Sequence, residues 1–83
     1  MTNLTLEQTQ TNNAFLELRT HRDKLLLESD WTQSPDSPLT DAKKTEWATY
    51  RQALRDLPDT YSDIPKTSKG YLDWGQITWP TKP

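Results

Sequence analysis

The chain contains no cysteine, which removes disulfide staples, thiolate nucleophiles and thiolate metal sites together. Its two glycines, Gly70 and Gly75, are too few to build a glycine-rich phosphate cradle. One histidine, His21, excludes paired-histidine metal spacing, and its place on the polar side of a helical pattern reads as a solvated residue. The longest apolar run is Leu25-Leu26-Leu27, far short of a membrane span, and Met1 to Thr5 offers neither a basic nor an apolar leader segment. Neither export by signal peptide nor membrane insertion is expected, so the Asn3-Leu4-Thr5 sequon carries no weight. A net charge of -2 and a pI near 5.2 lack the basic footprint of a nucleic-acid binder. The carboxylates are dispersed, and the nearest groupings, Glu28/Asp30 and Asp56/Asp59, fall on exposed helix ends with no desolvation to shift them. The expectation is a non-enzyme with no catalytic, cofactor-binding or metal residues.

What the chain does have is length for one small domain and a supply of rings. Its 83 residues are 31% hydrophobic and 10% aromatic, with four Trp, and the mean hydropathy is -1.00. A chain of this size buries only about 60% of its unfolded surface, so area gain and ordering entropy nearly cancel. Each large ring can bury roughly 150–250 Å², which makes the aromatics the main resource for stability and affinity. A small helical module that leans on a partner is the class these numbers support, with self-association left open.

Residues 1–12 are rich in Thr, Asn and Gln and read as a flexible or extended arm. A helical hairpin is expected over 13–58, with helices at about 13–29 and 40–57. Asn13 is a possible cap for the first, and Phe15, Leu18, Arg22, Leu25 and Leu26 form one stripe along it. Leu16 and Leu27 fall about 100° away, on a flank that one partner helix leaves bare. Pro35 and Pro38 interrupt the connector, where Trp31 most simply folds back over the open end of the hairpin. Thr40 is a natural N-cap for the second helix, whose stripe is Trp47, Tyr50, Leu54 and Leu57. The fold class is therefore all-α, a small antiparallel hairpin with Arg22 laid against Trp47 or Tyr50.

Residues 59–83 read as a linker and an extended strap. Tyr71, Leu72, Trp74, Ile77 and Trp79 concentrate apolar mass before Pro80, with a short strand expected at 76–79 and Ile77 and Trp79 on one side of it. The strap either lies over the hairpin or adds to a partner's sheet. Candidate partner-binding residues are Leu16, Leu27, Trp31, Tyr71, Trp74, Ile77, Trp79 and Pro80.

The segments Arg22-Asp23-Lys24-Leu25-Leu26, Ser29-Asp30-Trp31-Thr32-Gln33, Pro35-Asp36-Ser37-Pro38-Leu39, Tyr50-Arg51-Gln52-Ala53-Leu54-Arg55-Asp56-Leu57-Pro58 and Trp79-Pro80 occur in this order. Together they resemble the tail assembly chaperone family of tailed bacteriophages, over about Leu18 to the end. The resemblance implies a small helper that binds a tail, baseplate or tail-fibre protein during assembly and carries no catalytic residues. Such domains often stand at the C-terminus of longer tail-fibre assembly proteins. It further implies action in the host bacterial cytoplasm, with retention in the virion tail as a minor structural subunit the alternative; a host-directed regulatory binder is a third, remoter reading.

Overall fold

A computed structural model describes residues 4–83. Two helices, α1 (Leu6–Ser29) and α2 (Asp41–Asp56), run antiparallel and are followed by a long irregular tail. Short 3₁₀ turns occupy Asp30–Gln33, Leu57–Thr60 and Trp74–Gln76. The all-α hairpin expected from the sequence is the architecture observed, and no strand occurs among the described residues. The radius of gyration is 15.9 Å, with principal extents of 49 × 29 × 17 Å. A spherical domain of this length would give about 12 Å, so the molecule is elongated and every element lies close to solvent.

Helix α1 starts at Leu6, seven residues before the Asn13 cap that the polar composition suggests. Thr5 caps it instead: the Thr5 hydroxyl accepts from the Gln8 N–H at 3.1 Å while Gln8 Oε1 accepts from the Thr5 N–H at 2.9 Å. This reciprocal capping box satisfies two donors that a helix start leaves orphaned. The tail adds tertiary support, with Lys66 Nζ donating to Thr11 Oγ1 at 2.7 Å. Residues 6–12 are therefore helix rather than arm, and Met1 to Asn3 lie outside the described residues.

At roughly 1.5 Å per residue, α1 is about 12 Å longer than α2. The tail covers the difference. Ala14, Leu18, Leu57, Ile64, Leu72 and Ile77 form one buried cluster, with Phe15, Tyr61 and Trp79 packed against it. Of the stripes read from the sequence, Leu18, Tyr50, Leu54 and Leu57 are buried. Phe15, Leu25, Leu26 and Trp47 are only half-buried; Phe15 packs at the edge of the core cluster, and the other three lie toward the connector end of the hairpin, which receives no tail residue comparable to Ile64 or Leu72. Arg22 turns to Asp23, its Nε 2.9 Å from Oδ1, and the arginine that does stack on a ring in α1 is Arg19, 5.3 Å from the Phe15 centroid.

The segment after Pro58 is folded rather than a free linker. Lys66 and Leu72 face each other in an antiparallel bridge, and Thr67 N–H donates to the Tyr71 carbonyl at 2.7 Å. Gly70 closes the turn at φ +85°, a conformation that side-chain-bearing residues adopt at a cost. The Leu72 N–H then donates to Glu17 Oε2 on α1 at 3.0 Å. Residues 76–79 are not a strand: Gln76 ends a 3₁₀ turn, the Ile77 N–H closes that turn on the Trp74 carbonyl at 3.2 Å, and the Thr78 N–H donates to Tyr61 Oη at 2.9 Å rather than to a neighbouring strand. Ile77 and Trp79 do share a side, both turned toward the core.

Candidate functional site

At the connector end, polar contacts replace apolar packing. Arg51, 8% exposed, reaches from α2 across the end of α1. Its Nη1 donates to the Leu26 carbonyl at 2.6 Å and Ser29 Oγ at 2.7 Å, and its Nη2 pairs with Asp30 Oδ1 at 2.7 Å. Thr32 Oγ1 donates to the Ser29 carbonyl at 2.6 Å and Gln33 Nε2 to the Lys44 carbonyl at 3.1 Å. One guanidinium thus gathers a last-turn carbonyl of α1, a hydroxyl and a carboxylate at the point where the helix ends. The Ser29-to-Gln33 run and the Tyr50-to-Pro58 run, far apart in sequence, are two halves of this clasp. The sequence reading passed over Arg51; a charged residue one position after a core Tyr was the available signal.

Apart from Leu4 and Leu6 at the start of the described chain and Tyr71 in the tail turn, the exposed large apolar side chains fall on two surfaces. On the first, Leu16, Glu17, Thr20, His21 and Lys24 of α1 form a shallow groove with Trp74 of the tail. Leu16 is 62% exposed and Trp74 44%. His21 is not a solvated side chain: its ring meets Trp74 edge-on at 5.1 Å and Trp79 at 4.8 Å, and the two indoles stack at 5.9 Å and 17°. The three rings pin the tail to α1. On the second surface, Trp31 tilts against Trp47 at 6.2 Å, and Trp47 meets Tyr50 at 5.7 Å and 82°. Burial, and then the charge of Glu28, raise the Tyr50 hydroxyl above its ordinary titration range.

The candidate residues read from the sequence divide accordingly. Leu16 and Trp74 share the first groove. Leu27 stands exposed on the same flank of α1 as Leu16, Trp31 belongs to the second surface, and Tyr71 projects alone from the tail turn. Ile77 is withdrawn into the core at 8% exposure, so it is a fold residue rather than a contact residue. Trp79 and Pro80 are half-buried. Among the described residues, no three His, Cys, Asp or Glu side chains gather as a metal set, and no helix is long and apolar enough to cross a membrane.

A family model described as phage tail assembly chaperone protein matches residues 16–83, a span that takes in both halves of the Arg51 clasp, both aromatic surfaces and the whole tail. The chain belongs to that family. No curated protein and no solved structure matches it. Membership assigns the chain a role in tail assembly, and the folded tail that closes its core lies within the matched span.

Proposed function

We propose that this chain acts as a chaperone without catalysis in the host cytoplasm, binding an apolar segment of a tail or tail-fibre protein and leaving before the virion is complete. The observation that carries this reading is the Leu16–Trp74 groove. The chain's own tail already fills the core, and no buried side-chain polar atom lacks a partner among the described residues. Leu16 and Leu27 are therefore not needed to close the fold, and the part of Trp74 left exposed beyond its His21 and Trp79 contacts extends their surface; apolar surface kept open on a closed fold marks a contact site. Glu17, Lys24 and the His21 ring supply the polar rim common to such sites.

Quantitative mass spectrometry of purified infectious particles, set beside affinity capture from phage-producing cells, tests the reading. Recovery with an immature tail protein, and absence from the particle, is the expected result. Stoichiometric copies in the particle would make the chain a permanent tail or baseplate subunit and defeat the transient role.

A further inference from the structure

The aromatic surface at the connector end has the makings of a cation receptor. Trp31, Trp47 and Tyr50 line one concavity together with Leu25, Ser29 and Glu28, and Lys82 from the C-terminal tail lies across it. Lys82 Nζ stands 5.8 Å from the centroid of the Trp47 ring. Indole and phenol faces carry negative quadrupole potential, and several such faces beside a carboxylate form the environment that holds alkylammonium groups. Glu28 supplies the carboxylate; its field reaches Tyr50, and Lys24, which does not line the concavity, approaches it only to 4.0 Å. Arg51, the other cation nearby, is fully engaged with Leu26, Ser29 and Asp30.

We propose that Trp31, Trp47, Tyr50 and Glu28 form a receptor for a lysine ammonium presented by a partner's basic segment, and that Lys82 of the chain's own tail occupies it until displaced. The seated Lys82 identifies the ligand class, because a side chain of this chemistry already stands over the Trp47 ring within the concavity. Both Lys82 and Trp31 are exposed, so the receptor opens without disturbing the core. The proposal stands on the geometry of this end and is independent of which tail protein the chain binds.

The test titrates Nα-acetyl-lysine N-methylamide into the full chain and follows the Trp31 and Trp47 indole N–H resonances, with the norleucine analogue as the neutral control. In Lys82→Ala the probe should bind saturably, about two- to fivefold more tightly than to the unsubstituted chain, the ratio one cation–π contact supports. Trp31→Ala and Glu28→Gln should each weaken that binding, and far-UV dichroism should show all three variants folded. Equal affinity with and without Lys82, undiminished binding by Trp31→Ala, or equal binding of the norleucine analogue would overturn the proposal.

Discussion

Replacing Arg51 by Met keeps the aliphatic stem and removes the guanidinium, and its cost follows from what is left behind. Three short hydrogen bonds disappear, to the Leu26 carbonyl, Ser29 Oγ and Asp30 Oδ1. Ser29 keeps local partners, because its hydroxyl also lies 2.9 Å from the Leu25 carbonyl and 3.1 Å from that of Leu26. Asp30 is 58% exposed on its side chain and returns to water at little cost. The chief loss is the charge-assisted bond to the Leu26 carbonyl and the joint between the helices. Charge-assisted bonds contribute about 1.5–3 kcal/mol each, and losing one side of a part-buried network lies at or somewhat above that range. We expect Arg51→Met to cost about 2–4 kcal/mol, or roughly 10–25 °C in melting temperature for a domain of this size. Asp30→Asn should cost under about 1 kcal/mol. Thermal unfolding followed by far-UV dichroism measures both. If Arg51→Met melted within a few degrees of the unsubstituted chain, or Asp30→Asn cost as much, the clasp would not be what joins the hairpin.

Removing residues 71–83 takes Leu72 and Ile77 out of the core, so helical dichroism should fall rather than persist; intact helices would show that the tail is not structural. Thr5→Ala should cost about 1 kcal/mol through the lost capping box, with faster amide exchange over residues 6–10 as the local signature. Because the folded Tyr50 pKa lies above the unfolded value, the stabilisation from its neutral form is present below pH 10 and is lost as pH rises through the raised value. Tyr50→Phe should therefore lessen the fall in stability on alkaline titration.

The hairpin was legible because periodicity and capping agreed: Thr40 caps α2 as its sequence context suggests, and Leu18, Leu54 and Leu57 are buried as their spacing requires. The start of α1 was missed because Thr and Asn are weak helix formers whose side chains compete for the backbone, and the polar composition hid the Thr5-x-x-Gln8 box. Ile64 and Leu72 went unread as core because neither belongs to a periodic element, and a turn built on Gly70 has no hydrophobic pattern to betray it. His21 was misplaced for a related reason. Its helical position is polar by α1's own periodicity, and only the return of the tail brings Trp74 and Trp79 against it. Leu16 and Trp74, some sixty positions apart, were each legible as apolar surface, but not as neighbours.

The account turns on whether the Leu16–Trp74 groove binds the tail protein. The most direct measurement is the dissociation constant of the purified chain for the tail protein recovered by affinity capture, compared between the unsubstituted sequence and Leu16→Asp. Leu16 is 62% exposed, so the substitution should move the melting temperature by no more than a few degrees. The account predicts binding weakened at least tenfold at nearly unchanged stability, since a charge placed in an apolar contact must be desolvated without a partner. Equal affinity for both chains would contradict it.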